Sequence, residues 1–390
     1  MKRFILMCGT VSAYRASARM RLVFAMSDGE VVKNMGKIVV VGSTNVDLAI
    51  RLSEWPRIGE TVFGDGFGTS VGGKGANQAV AAARLGAETI FLSAVGADAF
   101  GEMARQKFSE EGLHTELHES SEHTGTALID VGPDGSNIIK LAPGANWDLG
   151  VGFVQAKQDL VLGCDVLLLQ NEIKLETSKA AAAIARRSDC LIIMDPASAP
   201  IPVWDDEVYA AFDVITPNAT EAAAILGFDV ETPEEGAKAA EALAKRFGIK
   251  AVVTLGGDGA AWSDGDICGY RPCPRVEAID TVAAGDCSNG AFAAHYARIK
   301  SFEASVNFAL KAGAMATTRR GAINSLPGDL EAQIEVFVDH YNHQRYHESL
   351  NNVTPADVYF GRDKAILRQR ERIKRKTLEA RRLHHRQHAA

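Results

Sequence analysis

In the last third of the chain, DTVAAGDCSNGAFAAHYA begins at Asp280. Three small residues, Ala283, Ala284 and Gly285, lead into Asp286 and an alanine-rich helical run. The first amides of a helix lack intrahelical acceptors, so they can hold a phosphate or a developing negative charge. Small side chains let a reacting group approach that backbone. Asp286 would then stand beside the anion hole, placed to take a proton from an attacking hydroxyl. An ordinary aspartate cap at a helix start fits the same residues, and the stretch alone leaves both readings open.

A second glycine-rich helix start, GGKGANQAVAAARLG, begins at Gly72. It lacks the GxxxxGK[ST] pattern of a phosphate loop. Glycine removes the side-chain barrier to a sugar or phosphate, although a tight turn needs glycine too. Further polar or glycine positions follow short apolar runs: Asn45 and Asp47, then Glu172, then Asn218 and Glu221 in PNATE, then Thr254, Gly256, Gly257 and Gly259. One such residue carries little, since Asn and Asp are common in turns. Their repeated placement points to a site, because open α/β sheets bind ligands outside the carboxyl ends of their strands.

The elements that must position these residues are legible as alternating patterns. IVVVG from Ile38, TIFLSAVG from Thr89, VLLLQNE from Val166, LIIMDP from Leu191, VITPN from Val214 and AVVTLGG from Ala251 fit strands buried on both faces. Between them, ANQAVAAARLG, GEMARQKFSEEG and KAAEALAKRFG read as helices stopped by Gly86, Gly112 and Gly248. The expected fold is α/β, a doubly wound and mainly parallel sheet flanked by helices. Residues 48–73 and 124–144 break the rhythm and read as strands with turns, Asp134-Gly135 being a hairpin signal. They predict a small β-sheet projecting from the body as a lid.

Composition bounds the partners. The 390 residues carry a formal charge of −7, but from Arg362 onward eleven Lys/Arg face three Asp/Glu, leaving the rest at −15. Six of the ten His lie at or after His340. This asymmetry suggests segments of different origin, or an acidic globule with a basic tail. The six cysteines show no CxxC spacing and read as free thiols in a reducing cytoplasm. No apolar run is long enough to span a membrane. Residues 1–34 read as an extension from a start codon set too far upstream, with Met35 the natural start. The main domain is expected over 35–327 and a separate tail over 328–390.

From about Met35 to Ser325 the chain resembles the ribokinase family of carbohydrate kinases. Both family signatures, GGKGANQAVAAARLG and DTVAAGD, stand in order and at the family's spacing. NVD, GGKGAN and QNE are most similar to the ribose-phosphorylating members. The resemblance implies ATP-dependent phosphorylation of D-ribose at its 5-hydroxyl, with ATP, Mg²⁺ and a monovalent cation, usually K⁺. It implies that Asn45, Asp47, Gly73, Lys74, Asn77 and Glu172 surround the sugar. Asp286 would be the base, with the Ala284–Gly285 backbone as anion hole. Asn218, Thr254, Gly256, Gly259 and Gly285 would meet ATP. Asn218 and Glu221 match an NxxE motif tied to Mg²⁺ through water. Asp280, Val282, Ala316, Arg319, Gly321 and Ser325 match loops that hold the monovalent cation, largely through backbone oxygens. The lid would close over the sugar and pair with a second subunit in a homodimer.

Several positions depart from the family pattern. Ala283 stands for the usual first glycine of GAGD, and Cys287 and Ser288 stand where Thr and a large aromatic are common. Cys287 reads as a small buried thiol, with a helix-start thiolate of lowered pKa as the alternative. Leu310 falls where some relatives present a polar residue near adenine. Beyond RRGAINSLP the pattern stops, and YNHQRYHESLNNVTPADVYFGR resembles the extreme C-terminal end of insertion-sequence transposases. The carboxylates of that family would lie upstream, where this chain is kinase-like, so the tail is expected to carry no transposase chemistry. Leu330, Ile334, Phe337 and Tyr341 share a helical face that could replace a lost final helix. Alternative functions are a related sugar or nucleoside kinase, a mobile-element DNA-binding protein, or an inactive fusion product. The basic end would bind DNA weakly, through phosphates.

Overall fold

A computed structural model describes residues 36–328, Gly135 apart, together with 364–371. The N-terminal extension, the helical face from Leu330 to Tyr341 and most of the tail lie outside the described residues. The strands are β1 (Lys37–Val41), β2 (Asn45–Leu52), β3 (Gly64–Gly72), β4 (Glu88–Gly96), β5 (His114–Ser120), β6 (Gly125–Val131) and β7 (Asn137–Ala142). They continue with β8 (Val166–Gln170), β9 (Leu191–Asp195), β10 (Val214–Ile215), β11 (Lys250–Thr254), β12 (Ala260–Ser263) and β13 (Cys268–Arg271). The helices are α1 (Lys74–Arg84), α2 (Ala99–Glu110), α3 (Val151–Ala156), α4 (Gln158–Leu162) and α5 (Leu175–Ala185). After them come α6 (Asp206–Tyr209), α7 (Ala219–Leu226), α8 (Pro233–Phe247), α9 (Ala284–Ile299) and α10 (Phe302–Ala316).

Among the described residues, nine strands form one sheet in the order β13-β12-β11-β10-β9-β8-β1-β4-β5. Neighbours from β5 to β11 run parallel, and β12 and β13 close the edge antiparallel. The alternation within one strand shows why these runs are continuously apolar. Ile38 and Val40 enter the core beneath α1, α9 and α10, while Val39 and Val41 enter the core against α5 and α8. A strand with both faces covered must be apolar at every position.

Helix ends follow local chemistry. Gly227 and Gly248 end α7 and α8 in the left-handed conformation, which costs glycine little. Thr232 and Glu235 form a capping box before α8. Helix α1 packs closely on α9 because Gly290 faces it: a Cβ there would stand 2.6 Å from Ala81 Cβ and from Gln78 O. That close approach brings the side chains at the start of α1 against the start of α9.

The second sheet has four strands in the order β3-β2-β6-β7. It is built from the two stretches that interrupt the α/β rhythm. β2 pairs antiparallel with β3 and parallel with β6, and β6 turns into β7 through Pro133 and Asp134. Phe63 and Phe67, from β3 and the loop before it, and Leu128, Ile138, Ile139 and Leu141, from β6 and β7, are exposed. Residues 364–371 are helical and largely exposed. Among the described residues no helix is long and apolar enough to cross a membrane.

Candidate active site

The residues picked out by type and spacing converge where β1, β8 and β9 end, between the starts of α1 and α9. Asn45 and Asp47 do not simply follow the first strand; they lie on β2, at the root of the second sheet. Asn45 is buried and accepts from Asn146 Nδ2 at 2.8 Å. Its register partners are Gly72 and Gly125, which have no side chains to crowd it. A Cβ on Gly125 would come within 2.3 Å of Asn45 Oδ1.

Glu172 organises the mouth of α1. Its Oε2 accepts from Ser43 Oγ at 2.5 Å, Lys74 N at 3.1 Å and Asn45 Nδ2 at 3.4 Å. Gly73 caps α1 with φ 92°, and a Cβ there would stand 2.7 Å from Asn45 N. This glycine is required twice, for its backbone angle and for its proximity to Asn45.

Asp286 lies in the first turn of α9 and is 5% exposed. The cap of that helix is Ala283, at φ 61°, so Asp286 is no ordinary cap. Its carboxylate turns to α1, where Oδ2 accepts from Asn77 Nδ2 at 2.9 Å and Oδ1 from Gln78 Nε2 at 3.2 Å. Lys74 Nζ stands 3.7 Å from Asp286 Oδ1 and 3.7 Å from Asp195 Oδ2. Of the two backbone positions expected to form the anion hole, Ala284 already donates its amide to Thr281 O at 3.3 Å. At Gly285 a Cβ would meet open space, so that backbone is approachable.

The site is strongly acidic. Burial, with Glu172 and Asp286 beside it, pushes the Asp47 carboxyl up to about 7. Burial likewise raises Asp195, to about 7, although Lys74 opposes the rise. Burial pulls the Lys74 ammonium down, but Asp195, Asp286, Glu172 and Glu221 outweigh it and hold Lys74 above the ordinary lysine range. Cys287 is wholly buried and donates to Ala312 O at 3.3 Å. Burial, with Asp286 beside it, pushes its thiol up, as suits a small buried thiol rather than a reactive thiolate.

Around β10 and β11 the remaining positions assemble. Asn218 and Glu221 form a reciprocal capping box at the start of α7, each side chain accepting the other's amide at 2.9 Å. Thr254 bridges to Asn218 at the end of β11. Gly256 and Gly259 bound a single 3₁₀ turn at φ 57° and 120°. A narrow apolar cleft beside them is lined by Thr216, Thr254, Ser288, Phe292 and Leu310. Thr216 Oγ1 is buried there without a protein partner, as is Asn77 Oδ1 beside Asp286.

A third cluster joins the loops around Asp280 and Gly321. Asp280 Oδ1 accepts the Val282 amide at 3.0 Å, and its Oδ2 accepts the Gly321 amide at 2.9 Å. Ala316 ends α10, Arg319 follows it, and Ser325 is buried in a 3₁₀ turn with its hydroxyl on Ala322 O at 2.8 Å. The Asp280–Gly321 contact thus joins the two segments that carry the six expected cation-loop residues, Ala316 among them at the end of α10.

The family model of the pfkB family carbohydrate kinases matches residues 35–329. The chain belongs to the pfkB family. A ribokinase of Haemophilus influenzae is 38% identical over 293 residues, 74% of this chain and 95% of that protein. The solved ribokinase of Thermotoga maritima superposes with a TM-score of 0.70 at 32% identity, covering 77% of this chain and 99% of that one. A solved Arabidopsis thaliana ribokinase, complexed with ribose and ATP, gives a TM-score of 0.68 at 28% identity over 77% of this chain and 98% of its own. An integrase core domain model matches residues 315–355. Its first part overlaps the pfkB match, in residues that form the end of α10 and the turn at Ile323–Ser325.

Sequence reasoning missed Gln78, Gln170, Asp195, Thr216, Ser43 and Asn146. Gln78 sits inside the glycine-rich motif already singled out, and Asp195 closes an apolar run by the same strand-end rule that picked Glu172. Ser43 and Asn146 carry no such signal, because their role is to hold Glu172 and Asn45 across long sequence separations.

Proposed function

We propose that this chain transfers the γ-phosphoryl group of ATP to the 5-hydroxyl of D-ribose, giving ribose 5-phosphate and ADP. One observation carries the reading. A buried carboxylate, Asp286, is held by α1 at the start of α9, directly after backbone that a phosphoryl group can approach at Gly285. The likeness to ribokinases supports the choice of sugar.

Asp286 takes the proton of the 5-hydroxyl, and the amides at the start of α9 face the charge on the transferring group. Asp47 and Asn45 hold sugar hydroxyls from the second sheet, and Asn77 presents its unpartnered Oδ1 to the same ligand. A pocket lined by fixed oxygen acceptors suits a polyol, since each hydroxyl donates one hydrogen. Lys74 balances the acids and faces incoming phosphate. The nucleotide lies along Asn218, Thr254 and the glycines at 256 and 259, its base in the apolar cleft at Leu310.

The acid surplus around Lys74 and the oxygen-rich loops at Asp280 and Gly321 fit hard cations. Mg²⁺ bound with ATP would neutralise phosphate charge, held through water by Asn218 and Glu221. A monovalent cation would sit between the loops of Asp280–Val282 and Ala316–Ser325. The exposed apolar face of the second sheet is read as a lid that also pairs two copies in a homodimer. Residues 328–390 are read as a tail of mobile-element origin without transposase chemistry, and the enzyme is placed in the cytoplasm.

ADP release on a panel of ribose, 2-deoxyribose, fructose and adenosine, with and without KCl, tests this. Ribose should give the highest kcat/KM, stimulated by K⁺. A better rate on another acceptor would replace the substrate, and no turnover by folded protein would overturn the reading.

A further inference from the structure

Two buried carboxylates, Asp195 at the end of β9 and Asp286 in α9, are joined by side chains of α1. Asp195 is 4% exposed. Its Oδ1 accepts the Ala197 amide at 3.2 Å and its Oδ2 the Gln78 side-chain amide at 2.8 Å. The same Gln78 nitrogen donates to Asp286 Oδ1 at 3.2 Å. A side-chain amide nitrogen carries two hydrogens, so it can serve both acids at once. Its orientation is fixed from behind, where Gln78 Oε1 accepts from Gln170 Nε2 at 2.8 Å. Reversing the amide would turn an acceptor oxygen on two carboxylates. Lys74 repeats the pattern, 3.7 Å from the same two oxygens.

The result is asymmetric at Asp286. Oδ1 faces Gln78 and Lys74, both shared with Asp195, whereas Oδ2 takes Asn77. We propose that Asp195 is a positioning residue for Asp286: it draws Gln78 and Lys74 onto one oxygen of the base and keeps Lys74 from pairing with Asp286 alone. Oδ2 is thereby left to take the proton of the acceptor hydroxyl. Without Asp195, Lys74 collapses onto Asp286 as a simple ion pair, and the Gln78 amide keeps Asp286 as its one carboxylate acceptor. This role rests on the phosphotransfer reading above.

The test uses the full chain and its Asp195→Asn and Asp195→Ala variants, with ADP release measured across ribose and Mg²⁺ concentrations and urea unfolding on the same preparations. Asn keeps an oxygen for Gln78 but loses the charge, so kcat should fall about tenfold, and about 100-fold for Ala, as small misplacements of a base do. The KM for ribose should stay within about threefold, because the role proposed for Asp195 is exerted on the base and not on the sugar. If Asp195→Ala fails to fold, Gln78→Met must reproduce the loss in kcat. Wild-type kcat in folded Asp195→Ala, or parallel loss of kcat and ribose affinity, overturns the proposal. Recovery of kcat at high Mg²⁺ also overturns it, since Asp195 would then be a metal ligand. An inactive wild type instead removes the phosphotransfer reading, which separates the two failures.

Discussion

Arg84, the last residue of α1, ties together parts of the fold far apart in sequence. Its Nε and one terminal nitrogen donate to Glu111 at 2.8 and 2.7 Å, and its other nitrogen donates to Ile323 O at 2.9 Å and Leu326 O at 2.6 Å. Arg84→Ala removes all four contacts. Deleting one member of a largely buried ion pair costs about 3–5 kcal/mol. Glu111 keeps Lys107 at 2.8 Å and the Arg84 side chain is 24% exposed, which places the loss at the lower end, about 3 kcal/mol. For a domain of this size that lowers Tm by roughly 5 °C. Arg84→Lys keeps the charge without the planar fork and should lose about half as much. The two carbonyls belong to the segment just after Gly321, whose amide is on Asp280, so if K⁺ binds at these loops as proposed, the variant should also need more of it for half-maximal rate. Urea unfolding and ADP release against KCl read the two effects. A loss below about 1 kcal/mol would refute the fork as an anchor, and an unchanged K⁺ requirement in a destabilised variant would refute its coupling to the loops.

Asp47 makes folding pH-dependent in a defined direction. Its carboxyl, raised from the usual 3.8 to about 7, is protonated in both states below 3.8, and costs stability as the pH rises from there to about 7. Asp47→Asn should therefore raise the unfolding free energy from urea titration at pH 8, by up to about 4 kcal/mol, and leave it unchanged near pH 3.5, while the KM for ribose rises. Ala283→Gly relieves a left-handed backbone at φ 61° and should stabilise the protein by about 0.5–1 kcal/mol in urea unfolding.

Much of the architecture was legible because burial on both faces leaves a plain mark. The runs at Ile38, Thr89, Val166, Leu191, Val214 and Ala251 are all strands of the main sheet, and the glycines at 86, 112 and 248 all follow helices with positive φ. The order of strands was not legible, since adjacency of β1 with β4 and β8 is set by crossover connections rather than by any local pattern. Candidate site residues were legible where chemistry and backbone need coincide, as in the glycine-rich start of α1 and at Asp286. They were not legible where a residue acts through another. Asp195, Gln78 and Gln170 do so by converging from β9, α1 and β8, a relation no spacing encodes. The capping at Asn218 and Glu221 shows the converse, two residues chosen for ligand chemistry that also hold a helix start.

Everything proposed for this site depends on Asp286 acting as the base of a ribose phosphotransfer. That role is tested most directly by ADP release from ribose and ATP, with Mg²⁺ and K⁺, comparing the chain with its Asp286→Asn variant. Asn keeps the size and the contact to Asn77 but cannot take a proton. The wild type should be active and the variant's kcat lower by about 10²–10⁴-fold, with an unchanged fold and a nearly unchanged ribose KM. A folded Asp286→Asn enzyme turning over within about threefold of wild type would contradict that role.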